Sequence, residues 1–338
     1  MHTGQRYTFK TTLNWSRRNV LGPMLWASVV TSLHEVAGLK WLALPWLPIS
    51  LVGVAVAFYL GFKNNASYDR VWEARKIWGA IVNASRSWAW SARDLVSGHW
   101  ADEPIPEAEL QEARVLLVRR HVAWMDALRH QLRRIKSWEH SGGNFDRFRK
   151  GASAPEYSED LEEVLTASVG ADEARDVLSK INPAAHLLAN QSRDLNALFE
   201  RGAIDSFRHM ELQKMLTELV AQQGKAERIK NFPFPRQYTT VNTYFAWLLV
   251  ALLPLGMCHE FAKLGGQLVW LSIPFTAIVG WVFLTADQIG EWSENPFEGL
   301  TNDVPISSMA RGIERDILEI VGVEELPAPR ESIGPFIM

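Results

Sequence analysis

Apolar residues are gathered into four segments of the chain, and long polar stretches separate them. The uncharged runs cover residues 19–33, 41–62, 241–258 and 264–286. A bilayer core about 30 Å thick needs roughly 20 apolar residues in a helix. The second and fourth runs meet that length, the third falls slightly short, and the first is the weakest. The pattern predicts four membrane-spanning helices, with a position in the membrane interface as the alternative for the first.

The four segments form two pairs, and a polar insert separates the pairs. The predicted organisation is residues 1–62 with the first two spanning helices, 63–240 as a polar region, 241–286 with the last two spanning helices, and 287–338 as a final polar segment. Lys and Arg are concentrated beside the insert and before the first span, whereas each short link within a pair carries one Lys. Because such residues favour the cytoplasmic side, we predict that the insert and both termini are cytoplasmic.

The polar regions have the periodicity of helices. After Asn64, apolar and aromatic residues continue at helical spacing as far as Arg93, and no strand pattern persists anywhere. Residues 139–158 are rich in Gly, Ser and Pro, which predicts a loop. The expected fold class is therefore all-α, with a helical cytoplasmic region attached to the spanning helices.

Composition excludes several classes of function. A single cysteine, Cys258, excludes an internal disulfide framework and a cysteine metal cluster. The formal net charge of -3 gives no reason to expect a nucleic-acid partner, and no Gly-rich phosphate loop follows a strand. Two His-Glu pairs, at residues 34–35 and 259–260, lack the second His of a zinc-binding motif. We therefore expect no metal site, no cofactor and no enzyme activity.

The second apolar segment carries two stripes of a different kind. Small residues recur at every fourth position: Gly53, Ala57 and Gly61. The neighbouring stripe is bulky: Val54, Phe58 and Phe62. Small stripes let membrane helices approach closely, so several copies packed around an axis could turn the bulky residues inward as apolar rings, a constriction of the kind that gates by dewetting. Core packing within one chain is the alternative, and spacing alone does not separate the two.

Charged residues follow the bulky stripe with no turn between them. The helix is predicted to leave the membrane at Lys63 without a break. Lys63 and Arg70 would concentrate anions at the pore mouth if they face the lumen, although Asp69 and Glu73 oppose them.

A second candidate constriction precedes the third apolar segment. Pro233 and Pro235 forbid a regular helix there and hold Phe234 in an extended elbow. A plain linker is the alternative explanation.

Three stretches of the sequence resemble the bestrophin family of membrane channels, in its bacterial branch. They are FKNNASYDRVWEARKIWG at residues 62–79, FPFPRQYTTVNTY at 232–244, and IGEWSENPFEGLTNDVPISSMARGIERDI at 289–317. The last contains the family's Asn295-Pro296-Phe297 motif. Taken with the order of the apolar segments, the resemblance covers nearly the whole chain.

The resemblance implies a homopentamer around one central ion pathway in the bacterial inner membrane, surrounded by lipid. It places the pore neck at Val54, Phe58 and Phe62 and a cytosolic aperture at Phe234. Monovalent ions would pass passively, and the family favours chloride and other anions. A monovalent-cation (sodium) channel of the same architecture and a non-conducting membrane scaffold remain the alternatives. The edge of an aromatic ring favours an anion and its face favours a cation, so the neck composition alone leaves selectivity open.

The sequence departs from the family in one respect. Animal members resemble one another in an acidic calcium clasp after the Asn-Pro-Phe motif. Here that run supplies only Glu298, Asn302 and Asp303, and Trp292 stands where the clasp has an amide side chain. Calcium takes six to eight oxygen ligands, so we predict that this loop does not gate the protein by calcium.

Overall fold

The computed structural model describes residues 1–140, 154–332, 334 and 336–338. The described residues form ten α-helices: α1 (Phe9–Glu35), α2 (Trp46–Leu95), α3 (Glu107–Arg133), α4 (Leu161–Val169), α5 (Ala171–Leu178), α6 (Pro183–Glu200), α7 (Ser206–Asn231), α8 (Arg236–Ala262), α9 (Ser272–Glu291) and α10 (Ile306–Ile320). Extended pairing within those residues is limited to an isolated bridge between His2 and Phe336, which confirms the helical class. The loop predicted for residues 139–158 lies mostly outside the described residues.

Three stretches are long and apolar enough to cross a membrane. They are Lys40–Leu95, Arg236–Ala262 and Gly266–Glu291. The first two contain the second and third predicted spans, and the last covers the fourth from residue 266 onward. Helix α1 contains the first predicted span but is not among the three, because its uncharged run is short and lies between Arg18 and the His34-Glu35 pair. As predicted, α2 continues through Lys63 without a break and ends at Leu95.

The chain divides into two compact units. Residues Gly4–Arg70 and Phe234–Glu294 form the first, here called the apolar unit, and residues Met1–Thr3, Val71–Pro233 and Asn295–Met338 form the second, here called the polar unit. The first half of α2 belongs to the apolar unit and the second half to the polar unit.

Helix α1 packs along α9 and α8 within the apolar unit. Polar side chains hold it there: Trp281 Nε1 donates to Ser16 Oγ at 2.8 Å, and Asn19 Nδ2 donates to Gln288 Oε1 at 2.7 Å. The core beside them contains buried aliphatic residues of α2, α8 and α9. In an apolar setting such bonds fix which faces of the helices meet, since few other polar partners compete.

Helix α3 lies at the centre of the polar unit, where it packs against α4, α6 and α10. Three tryptophans are fully buried in the core of this unit: Trp124 on α3, and Trp78 and Trp88 on α2. Trp124 donates its indole N–H to Gln223 Oε1 at 2.8 Å, and the Arg120 guanidinium forks onto both oxygens of Glu173 at 2.7 and 3.0 Å. Large aromatic rings therefore fill this core, and each buried charge named here has a partner.

Gly280 allows a close approach of α9 to α1. A Cβ atom at this position would lie 2.8 Å from Pro23 Cβ and Cγ, well inside the optimal carbon–carbon separation of about 3.5–4.0 Å. We expect Gly280→Ala to force the two helices apart and to destabilise the fold by about 1–3 kcal/mol. The midpoint of thermal unfolding in detergent measures this.

The matched control is Gly312→Ala in α10, where nothing lies within 4 Å of an added Cβ. That change should be neutral or slightly stabilising, because Gly costs roughly 0.5–1 kcal/mol relative to Ala inside a helix. Equal midpoints for the two variants would contradict the close packing of α1 on α9.

Candidate ion pathway

The bulky stripe of α2 is exposed in the single chain. Val54, Phe58 and Phe62 are 70%, 64% and 53% exposed, whereas Leu60 is 3% exposed. The buried face of the helix instead carries Ile49, Val56, Leu60, Lys63 and Ser67. The stripe therefore does not pack in the core of its own chain.

The small stripe beside it is also largely clear of contacts within the chain. An added Cβ at Gly53 would meet Leu249 Cδ1 at 3.6 Å, and one at Gly61 would meet nothing within 4 Å. Ala57 is exposed. This strip of the helix surface can accept the close approach of a neighbouring helix.

Phe58 and Phe62 contact each other edge to face. Their ring centroids lie 4.6 Å apart at an interplanar angle of 85°. Because the rings are nearly perpendicular, the two cannot both present their faces in the same direction. An ion passing along the stripe would meet ring edges, whose partial charge is positive, from at least one of them.

Lys63 is placed differently from the prediction. Its side chain is fully buried, and its ammonium donates to Asp287 Oδ1 at 2.8 Å. The other Asp287 oxygen accepts from Thr243 Oγ1 at 2.9 Å. Lys63 follows Leu60 by three residues and so lies on the same buried face of the helix. Its charge is balanced by Asp287 and is not offered to ions at an exposed surface of the chain.

The other predicted pathway residues have mixed exposure. Arg70 is partly buried at the end of the apolar unit. Phe234 is 5% exposed, while Phe232, two residues earlier, is 68% exposed. In the single chain it is thus the ring of Phe232 in this elbow that is exposed, and an aperture at Phe234 would need a rearrangement of its side chain.

The Asn295-Pro296-Phe297 motif shapes the loop before α10. Phe297 is 1% exposed and joins the core of the polar unit. Asn295 Nδ2 donates to Glu298 Oε1 at 2.8 Å, and the Pro296 carbonyl accepts from Val304 N at 3.2 Å. Phe297 therefore anchors the loop in the core, while Asn295 and Pro296 close it on itself.

Both carboxylates that follow the motif, Glu298 and Asp303, accept hydrogen bonds from other groups of the protein. Glu298 accepts from the main-chain N of His140 at 3.0 Å and is 2.8 Å from His140 Nδ1. Asp303 accepts from Gly299 N at 2.6 Å and from Arg133 Nη1 at 3.2 Å. No cluster of three or more His, Cys, Asp or Glu side chains in the described part of the chain is placed to hold a metal ion. Trp292, just before the loop, packs edge-on against Trp15 with centroids 5.6 Å apart.

Burial dominates the electrostatics of Asp303. Full burial, reinforced by the Glu298 carboxylate and opposed by Arg133, raises the pKa of Asp303 from 3.8 to about 7. The folded protein then binds a proton that the unfolded chain has lost. The resulting stabilisation is complete below about pH 4 and disappears as the pH rises through about 7.

We therefore expect the free energy of unfolding of the wild type to fall by about 1 kcal/mol between pH 6 and pH 8 on account of Asp303. In Asp303→Asn this part of the fall in the free energy of unfolding between pH 6 and pH 8 should be absent. Chemical denaturation in detergent at both pH values measures it. Asp316→Asn, at an exposed carboxylate paired with Arg86, should keep the wild-type dependence, and an unchanged slope in Asp303→Asn would contradict the assignment.

A comparison with known proteins adds to this geometry. The family model described as Bacterial/Fungal Bestrophin protein matches residues 14–319. The chain belongs to this family. The bestrophin is 30% identical over 275 residues, 81% of its own length and 75% of its relative's, to a voltage-dependent anion channel-forming protein of Mesorhizobium japonicum. It is 26% identical to the voltage-dependent anion channel-forming protein YneE of Escherichia coli K12, over 83% of its own length and 78% of its relative's.

Solved structures agree with the fold of this bestrophin. A crystal structure of a bacterial bestrophin homologue from Klebsiella pneumoniae superposes with a TM-score of 0.73 at 24% identity, covering 91% of this chain and 98% of that one. A variant of the same homologue gives 0.73 at 25% identity, with coverage of 91% and 99%. The predicted family is confirmed.

Sequence reasoning missed three partners in this bestrophin. Asp287 lies one residue beyond the uncharged run of the fourth span, whereas α9 continues to Glu291. Thr243 carries no charge, and Arg133 is one of several basic residues on its helix, so spacing singles out neither. The partnership of Lys63 with Asp287 could have been predicted. Each is the first charged residue after an apolar span, the second and the fourth, and opposite charges in such positions are candidates for an ion pair.

Proposed function

We propose that this bestrophin is a channel that passes monovalent anions, chloride among them, passively through an apolar neck formed by several copies of α2. The observation that carries the proposal is the exposed stripe of Val54, Phe58 and Phe62 on an unbroken helix. Such a stripe in one chain becomes a set of stacked apolar rings when copies meet around an axis. The names of the relatives in Mesorhizobium and Escherichia, which call them anion channel-forming proteins, support the choice of ion.

The assembly we propose is a homopentamer in the bacterial inner membrane. The open small stripe of α2 supports close contacts between copies. In this arrangement α1 is the fourth spanning helix, because it packs along α9 and α8 while exposing Leu25 and Val29, which are 68% and 51% exposed, to lipid. The termini and the polar unit are cytoplasmic, following the distribution of Lys and Arg.

Selectivity in this proposal comes from the aromatic rings and the field at the mouth. Lys63 is neutralised by Asp287, so it contributes little to that field. Arg70, which is partly buried, is the other cation predicted at the pore mouth. Ring edges at Phe58 and Phe62 would favour a partly dehydrated anion. The second narrowing at Phe234 stays a prediction from the family resemblance, since its side chain is buried in the single chain.

The test is electrical and uses the intact chain. Purified wild-type protein is reconstituted into liposomes and planar bilayers, its subunit number is measured by native mass spectrometry, and its reversal potential is measured across an NaCl gradient. We expect five subunits and a reversal near the chloride equilibrium potential. Reversal near the cation potential would support the sodium-channel alternative, and an assembled protein that never conducts would support the scaffold.

A further inference from the structure

We propose that the ion pair between Lys63 and Asp287 is a tether that holds the neck helix back against its own chain and thereby sets the width of the neck at Phe62. The inference rests on the proposed channel function. It assigns a positioning role to two residues whose side chains face away from the stripe that would line the neck.

The tether is buried and has several bonds. The Lys63 ammonium donates to Asp287 Oδ1 at 2.8 Å and approaches the Asp287 main-chain oxygen at 3.3 Å. Thr243 Oγ1 donates to the second carboxylate oxygen at 2.9 Å. The side chains of Lys63 and Asp287 are 0% and 7% exposed. One cluster therefore joins α2, α8 and α9 within the apolar unit.

Its position on α2 determines the direction of the restraint. Successive residues of an α-helix are rotated by about 100°, so Lys63 lies roughly 180° from Val54, 140° from Phe58 and 100° from Phe62. The tether thus acts on the side of the helix away from the stripe. It pulls α2 towards α8 and α9, and so away from any axis that the stripe faces.

The restraint acts beside the innermost ring. Phe62 and Lys63 are adjacent in the sequence, so a shift of the Lys63 backbone moves Phe62 with it. A Cβ added at Gly290 of α9 would lie 3.3 Å from Lys63 Cε, which shows how closely the backbone of α9 approaches this side chain. Because the pair is shielded from water, salt screens it less than a surface pair, and α2 has little freedom to move here while the pair is intact.

A buried ion pair is a costly way to stabilise a fold. Replacing both partners with apolar groups is often neutral or stabilising, whereas removing one leaves an unbalanced charge. Replacing both partners can therefore test the tether without unfolding the protein, because the fold survives while the directed bonds are lost. The neutral double variant Lys63→Met/Asp287→Leu can keep the fold while losing the directed bonds. Thr243 then retains the Thr239 carbonyl as an acceptor at 3.1 Å.

The experiment measures single-channel conductance in planar bilayers for wild type, for the neutral double variant, and for the swapped pair Lys63→Asp/Asp287→Lys. Size-exclusion chromatography and thermal unfolding check assembly. We expect the neutral variant to assemble and to conduct at least about fivefold less, the low end of typical coupling between sites, with partial recovery in the swapped pair. The control Lys263→Met/Glu260→Leu removes an exposed ion pair of the same unit and should conduct like the wild type.

A second readout does not depend on conduction. In a Cys258→Ser background, Phe62→Cys should form disulfides between copies faster when the neutral pair is present, because the released helices approach the axis. If the neutral variant fails to assemble, Thr243→Val replaces it in both assays, and a smaller change in the same directions is expected. Thr243→Val with wild-type conductance and cross-linking would then overturn the tether.

The outcomes distinguish the two proposals. A wild-type protein that assembles but carries no ion overturns the channel function and the tether with it. A conducting wild type beside a neutral variant of equal or larger conductance, with an unchanged rate of cross-linking, overturns the tether alone.

Discussion

Phe58→Ala is expected to raise the single-channel conductance by about tenfold, which corresponds to about 1.4 kcal/mol removed from the barrier to permeation. Phe58 is the middle member of the exposed stripe, and its ring contacts that of Phe62 edge to face. In the proposed channel, removing the ring from every copy would widen the apolar neck and allow water to accompany the ion. Planar-bilayer recordings of the variant and the wild type measure the change.

The matched control is Phe275→Ala. Phe275 lies on α9, is 47% exposed, and packs against Phe261 rather than against the stripe. The change removes an exposed ring of the same kind from another spanning helix, so conductance should not change. A similar increase in both variants would mean that loosening of the spanning helices, and not the neck, controls the current. No change in Phe58→Ala would favour the scaffold over the channel.

Arg133→Met is expected to destabilise the polar unit by about 3–5 kcal/mol, the usual result of removing one partner from a buried ion pair. The Arg133 side chain is 1% exposed, lies 3.2 Å from Asp303 Oδ2 and 3.8 Å from Glu156 Oε2, and donates to the Val304 carbonyl at 3.4 Å. Its loss leaves two buried carboxylates short of positive charge. Chemical denaturation with tryptophan fluorescence measures the change, since several tryptophans lie in this core.

The same variant should depend more strongly on pH. Without Arg133 the folded-state pKa of Asp303 rises further, so the destabilisation should be smaller at pH 6 than at pH 8. The control Arg134→Met changes the next residue, which is exposed, and should leave stability within about 0.5 kcal/mol of wild type. Equal effects of the two changes would show that the buried cluster does not stabilise the loop before α10.

Much of the architecture was predictable from local patterns. Long uncharged runs located the three helices that are apolar enough to span a membrane, because apolar length alone decides that property. The unbroken passage from Phe62 into Lys63 was also predictable, since no Pro or Gly pair interrupts the helical spacing there. The bulky stripe was visible for the same reason: residues four apart share a face of a helix.

Other features depend on which helices meet. Sequence spacing showed that Lys63 follows Phe62, but the carboxylate that pairs with it lies 224 residues further along the chain. Whether a charged side chain at the end of a span is exposed or buried depends on which helix packs beside it. The local sequence pattern does not indicate which helix that is. The same holds for Arg133, whose partner Asp303 is 170 residues away, and for Phe234, whose burial no feature of the Pro-Phe-Pro elbow indicates.

The sequence by itself determined the helical class, the apolar stretches, the two stripes on α2 and the family, because each of these follows from residue type and short-range spacing. Only the tertiary structure decided that the bulky stripe is exposed while Lys63 is buried, and that the carboxylates after the Asn-Pro-Phe motif are bound by His140 and Arg133. These outcomes depend on long-range pairing, in which a charge is neutralised by whichever side chain the packing of helices brings within a few ångströms.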